Sequence, residues 1–210
     1  AIGFACFALA SMWIKYETTY DAFHKDAENI YCLIREDRAI SAGLPSWNST
    51  IPVTDSIITY CPEINTYTAF DRADIRELVL TDNESIAIRD IKALECDKSF
   101  FDFFSVKFIL GDSDFLEEND KVAVTQEMAE CLWGKENPIG KQVKFNANEN
   151  VLTVAAVVEG WGEHTNIPFA FIRNKSNLYQ SGTYSYRQYA FRLHPNVDVD
   201  KLNEKLAQMP

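Results

Sequence analysis

The chain has 210 residues, a formal net charge of −11 and an isoelectric point near 4.7, with 47% hydrophobic and 24% charged residues. That balance describes a soluble globular body, one domain or two closely joined halves, with enough apolar residues for a core. An acidic surface without a Lys and Arg cluster excludes nucleic acid as a partner and disfavours attraction of the folded body to anionic lipid.

The sequence opens with fourteen uncharged, mostly apolar residues, AIGFACFALASMWI, without an initiating Met or a basic stretch before them. This is not a complete secretory signal of the usual form, and it is shorter than the roughly 20 apolar residues that cross a bilayer. Trp13, Lys15 and Tyr16 close the stretch with the aromatic and lysine character of the water-facing end of a membrane helix. It reads as the last turns of a transmembrane helix, with an ordinary buried N-terminal helix as the alternative. Tyr16, Tyr20 and Phe23 then fall at i, i+4 and i+7, which predicts a stalk helix carrying its rings on one face. Asp21 and His24, at i and i+3, are spaced for a surface contact or a cap. Asp26 and Asn29 predict a break, and IYCLI predicts the first strand.

SAGLPSW is rich in turn formers, and NSTIPVTDSIITYCPEI offers Asn48, Ser49 and Thr50 as caps before an amphipathic helix that Pro62 stops. INTYTAF predicts the second strand of a β-α-β pass. From about Ile75 to Val158 the texture changes to short strands: ELVLT, SIAIRD, IKALEC, VAVT, KQVKF and LTVAAVV. Within this region Phe100, Phe101, Phe103, Phe104 and Phe108 repeat at i, i+3 and i+4, the pattern of a short helix anchored in a core rather than of a ligand box. The polar loop EGWGEHTN leads to strands IPFAFI and QYAFRLHP. A last amphipathic helix places Leu202, Leu206 and Met209 on one side.

The stretch LWGKENPIGKQVKF invites comparison with a phosphate-binding loop. Five residues separate Gly134 from Gly140 where the motif needs four, and Gln142 occupies the place of the Mg²⁺-binding hydroxyl. The helix also precedes the loop, whereas an anion cradle runs from a strand into a helix N-terminus. Gly134, Pro138 and Gly140 therefore predict a helix-to-strand turn. No GxSxG elbow or HExxH pair occurs, and no Cys and His arrangement has a recognisable local signature. Cys6, Cys32, Cys61, Cys96 and Cys131 contain no CxxC pair and lie far in sequence from His24, His164 and His194, so they read as small buried hydrophobes, with a disulfide of unassigned pairing as the alternative in an oxidising compartment. No metal or cofactor is expected, and no catalytic residue.

Four stretches in order carry a resemblance: YETTYDAFHKDAENIYCL, SFFDFFSVKFILGD, VAVTQEMAECLWGKENPIGKQVKF and LTVAAVVEGWGEHTNIPFAFI. Together they resemble the periplasmic core domain of ABC transporter permeases of the MacB and FtsX type, over most of the chain from Tyr16 to Ile172. The resemblance implies an α+β, two-lobed extracytoplasmic domain inserted after the first of four membrane helices. On this reading residues 1–27 are the end of a transmembrane helix and a stalk. Residues 28–72 and 165–210 form a β-α-β, porter-like lobe from both chain ends, and 73–164 form an inserted, sabre-like lobe. The implied role is non-catalytic: coupling of cytoplasmic ATP hydrolysis to export, extraction or transenvelope signalling by movement, in the bacterial inner membrane with this domain in the periplasm. Implied partners are an ABC ATPase subunit or domain, a second permease held through membrane helices, and a periplasmic adaptor or substrate protein. Trp13, Lys15, Tyr16, Tyr20 and Phe23 would be the membrane-exit and stalk residues. The segment ADIRELVLTDNESIAIRD departs from the family pattern. A ligand-binding ectodomain of a membrane-anchored sensor and an anchored hydrolase are the competing readings.

Overall fold

The computed structural model describes residues 2–36, 45–46, 48–81, 88, 90–145, 150–174 and 186–209. Helix α1 (Ile2–Thr18) leads through a turn into β1 (Ile30–Cys32), and β2 (Arg35–Glu36) pairs with β3 (Pro45–Ser46). β4 (Asn48–Thr50), α2 (Ile51–Tyr60), β5 (Ile64–Ile75), β6 (Leu78–Leu80) and β7 (Ile91–Cys96) follow. Then come α3 (Ser99–Phe103), β8 (Phe108–Leu110), β9 (Lys121–Thr125), α4 (Gln126–Trp133), β10 (Gln142–Phe145) and β11 (Val151–Val158). The chain closes with β12 (Phe171–Asn174), β13 (Tyr186–Leu193) and α5 (Val199–Ala207). The fold is mixed α/β.

Among the described residues one sheet takes the order β1-β13-β5-β7-β12-β9-β11-β10-β6, with β4 on β13 and β8 on β11. β1 and β5 each run antiparallel to β13 and so parallel to one another, with α2 between them in sequence. This is the expected β-α-β pass, opened by a strand from the far end of the chain. A second parallel crossover joins β9 to β11 through α4.

The central strands are apolar on both faces because both faces are covered. Val122 and Val124 of β9, Phe171 of β12 and Ala93 of β7 pack into a cluster with Ala129, Met128 and Leu132 of α4. Their neighbours Ala123, Ile172 and Leu94 point the other way, into a cluster built on Phe100, Phe103 and Phe104. The phenylalanine repeat is thus the core anchor its spacing predicts, with Phe101 and Phe108 packed partly buried at its margin. A third cluster joins Ile57 and Cys61, at and just beyond the end of α2, to Tyr189, Phe191, Leu193 and Leu202, with Leu206 and Met209 at its edge.

The lysine and glycine loop is a turn. Gly134 N–H donates to Glu130 O at 2.9 Å and closes α4, while Gly140 N–H donates to Val154 O at 2.8 Å. Ile139 N–H is held by Asn137 Oδ1 at 3.0 Å and Lys141 N–H by Pro138 O at 3.1 Å, so these amides face inward rather than toward an anion.

Four expectations need correction. The stalk helix stops at Thr18, so Tyr20 and Phe23 lie on a turn rather than a third helical repeat. Thr18 and Thr19 donate their hydroxyls to Ile14 O and Lys15 O, both at 2.8 Å, and Asp21 takes a left-handed φ of 57°, which short polar residues tolerate. Asn48, Ser49 and Thr50 form a strand, β4, that ends where α2 begins, because the edge of β13 offers them pairing. The second strand extends to Ile75, since β7 pairs with it to that residue. Only Cys61 and Cys96 are buried. Cys6 on the unpacked α1, Cys32 on edge strand β1 and Cys131 on the outer side of α4 are exposed. Most of SIAIRD and all of SAGLPSW but Pro45 and Ser46 lie outside the described residues.

Candidate functional site: the stalk junction

Helix α1 is apolar around its whole circumference and packs on almost nothing. Phe4 is 78% exposed and Trp13 65%, and Phe7, Leu9, Met12 and Ile14 are similarly open. No described helix is long and apolar enough to cross a membrane, α1 included.

Where α1 ends, the chain locks onto the loop between β11 and β12. Tyr16 and Tyr20 meet edge to face at 5.5 Å, and both lie on His164, with ring centroids 4.4 and 4.2 Å away. Thr19 Oγ1 lies 3.0 Å from His164 Nε2, and Asp21 N–H donates to His164 O at 3.3 Å. The Asp21 carboxylate accepts from Thr165 Oγ1, from Asn166 Nδ2 at 2.9 Å and from Asn166 N–H at 3.1 Å. Thr165 Oγ1 in turn accepts from Ile167 N–H at 3.0 Å, which fixes the loop. The Asp21 side chain therefore reaches across to the body, while its carbonyl accepts from His24 N–H at 3.2 Å in the turn.

His24 enters the core itself. Its ring lies 4.3 Å from Phe23, 4.5 Å from Trp161 and 4.9 Å from Phe104, and it is only 5% exposed. Trp161 continues the stack against Phe100 and Phe169. Burial lowers the His24 pKa from 6.5, opposed by the Asp21 carboxylate and helped by Arg192. Arg192 is itself held over the Phe103 ring at 4.8 Å, donating to Phe103 O at 2.7 Å.

Of the residues singled out in the sequence, Tyr16 and Tyr20 come together on His164, and Phe23, still half exposed, rests on His24 and Trp161. Trp13 and Lys15 stay on the exposed helix. Sequence reasoning passed over Asp21, Trp161, His164 and Asn166 as junction residues. A tryptophan between two glycines in a polar loop was the available signal, since such a ring needs a partner that its own loop cannot supply. Among the described residues no group of three metal-ligating side chains converges.

The fold is thus an open mixed sheet led into by an unpacked apolar helix. The sequence profile of the MacB-like periplasmic core domain matches residues 1–209, and the chain belongs to that family, the periplasmic core domains of MacB-like ABC transporter permeases. No curated protein sequence matches it. Its fold is similar to a domain of a permease protein from Porphyromonas gingivalis, with 20% identity, TM-score 0.66, and 86% of this chain and 82% of that one covered. It is also similar to the periplasmic region of MacB from Actinobacillus actinomycetemcomitans, at 16% identity and TM-score 0.59, over 85% of this chain and 80% of that one. A third likeness is the extracellular domain of the noncanonic ABC-type transporter YknZ from Gram-positive bacteria, at 16% identity and TM-score 0.58, over 85% and 89%.

Proposed function

We propose that this domain transmits movement. Cytoplasmic ATP hydrolysis, carried out by an ABC ATPase subunit or domain, displaces the membrane helices of a permease dimer in the bacterial inner membrane. The stalk junction passes that displacement to the periplasmic body, which acts on an adaptor or substrate protein without itself breaking bonds. The observation that carries this reading is the continuity between an apolar, unpacked α1 and a junction held by rings and charge-assisted hydrogen bonds. A helix apolar on all sides suits a lipid environment, and a rigid splice at its end is what force transmission needs. We further propose that residues 28–72 with 165–210, and residues 73–164, act as the two lobes of the body, with 1–27 as membrane end and stalk. Trp13 and Lys15 would sit at the membrane exit and Tyr16, Tyr20 and Phe23 on the stalk.

Replacing Tyr16 and Tyr20 together by Ala in the full transporter is expected to lower output per ATP by about tenfold, a typical coupling free energy, while leaving ATPase activity and expression in place. Unchanged output at normal expression would refute the coupling role. The alternative, a ligand-binding ectodomain of a membrane-anchored sensor, is favoured by one observation, the cavity beside this junction.

A further inference from the structure

Between the proposed lobes the chain crosses twice, after Arg72 on β5 and before Thr165 in the loop ahead of β12. The two crossings are bonded to each other, since Arg72 Nη1 donates to Asn166 O at 3.1 Å. Asn166 is also the residue that meets the stalk: its N–H and Nδ2 donate to Asp21 Oδ2 at 3.1 and 2.9 Å. It therefore stands between an acid of the stalk turn and a cation of the sheet, donating to one and accepting from the other. Hydrogen bonds to ionised groups are roughly twice as strong as neutral ones, and Asp21 and Arg72 polarise the backbone between them in the same sense. On either side Thr165 and Ile167 are buried, which fixes the backbone of Asn166 against the core. The covalent route from the stalk ends instead on β1, a three-residue edge strand with two exposed side chains, which offers less purchase.

We propose that Asn166 is the positioning residue through which the stalk moves the body. Displacement of Asp21 reaches Arg72 by way of Asn166, at the point where the chain crosses between the lobes, so both are driven together. The inference rests on the coupling role proposed above and names the residue by which it acts. Its chemical requirement is a donor at 166 facing an acceptor at 21. Asn166→Asp sets two carboxylates against each other. Adding Asp21→Asn reverses donor and acceptor across the same gap and restores the bond.

The test uses the full permease with its ATPase in lipid nanodiscs, with the exposed Cys6, Cys32 and Cys131 replaced by Ser. One preparation carries a spin label at Glu17→Cys on the stalk and another at Glu130→Cys on α4, both exposed positions. Distances between the two copies of each label are read without nucleotide and after trapping with ATP and vanadate. Both labels are expected to shift on trapping in the parent. In Asn166→Asp the stalk shift remains, while the ratio of shifted to unshifted body distances falls about fivefold, the low end of usual coupling. Asn166→Asp together with Asp21→Asn restores the body shift. Arg72→Met, which leaves the contacts of Asp21 in place, gives the same loss and serves if Asn166→Asp does not fold. A parent-like body shift in Asn166→Asp or Arg72→Met, a stalk shift lost along with it, or a loss that the double variant does not restore would overturn the proposal. A parent whose body distances do not change on trapping would overturn the coupling role itself, and this inference with it.

Discussion

Two ionisable residues, the half-buried Asp71 and the buried His24, pull the stability of this domain in opposite directions with pH. Asp71 of β5 lies opposite Glu95 of β7, which lies beside Arg173 of β12, and the register of β13 continues this row to Arg187. The row is a charged strip across four strands, on the face that elsewhere carries apolar residues such as Ala69 and Ile75. Arg173 Nε donates to Glu95 Oε1 at 2.8 Å. Burial pushes the Asp71 carboxyl from 3.8 to about 6, with Arg187 resisting and Glu95 adding to the rise. A raised carboxyl pKa means the fold prefers the protonated form, so this contribution is full below 3.8 and is lost as pH rises through about 6. Asp71→Asn should therefore stabilise the domain at pH 7 by about 1–2 kcal/mol, allowing for partial solvent screening, and flatten the stability curve across that window. Urea denaturation at a series of pH values measures it, and a loss of stability at pH 7 would show that the Arg187 attraction outweighs burial. His24 runs the other way. Its lowered pKa keeps the imidazole neutral in the fold, so its contribution is present above 6.5 and fades as pH falls below that value. His24→Phe should remove that acid-side loss.

At the scale of elements, β8 is the piece placed with least tolerance. It packs on β11 where the register shifts between Val157 and Val158, and Gly111 follows it with φ of +72°. A Cβ there would stand 2.6 Å from Ala155 O, a backbone atom that cannot swing away. Gly111→Ala is expected to cost more than about 2 kcal/mol, combining left-handed strain with that clash, and a shift in the thermal midpoint below about 2 °C would contradict it. Such elements show how far the sequence could be read. VAVT, LTVAAVV and the VTQEMAECLWG helix were legible because uniform apolar runs and a 3.6-residue repeat report burial directly. The start of β4 was not, since Asn48, Ser49 and Thr50 suit a cap as well as a strand and only the distant β13 edge decides. The stalk was half legible. Ring spacing located Tyr16 and Tyr20, but the end of α1 at Thr18 depends on loop residues 164–166, far along the chain. The cavity had no sequence signature, because its wall comes from three separate segments, 20–34, Phe104 and 166–167.

At the scale of the whole molecule, the proposed lobes share their hydrogen bonding. A path of nine paired strands runs from β1 to β6, and β5 itself crosses the boundary proposed near residue 72. The aromatic core crosses it too: Phe70 and Ala190 pack with Phe100, Ala123 and Ala156 in one cluster. Separating the lobes would break the β5 to β7 ladder and open that cluster to water, exposing residues such as Phe70 and Phe100 that have no solvent contact at all. The body is therefore expected to unfold as one unit, with a calorimetric enthalpy equal to the van't Hoff value. Two resolved transitions, with the 73–164 segment melting apart from the chain ends, would show the lobes to be separate bodies. The distinction fixes what the stalk can deliver. Under the proposed coupling role, a single cooperative body would behave as a lever and carry movement at Tyr16 and Tyr20 toward its far edge at β6. Two bodies would instead open and close between themselves, and the force at the stalk would be taken up at the charged strip around Asp71 and Glu95.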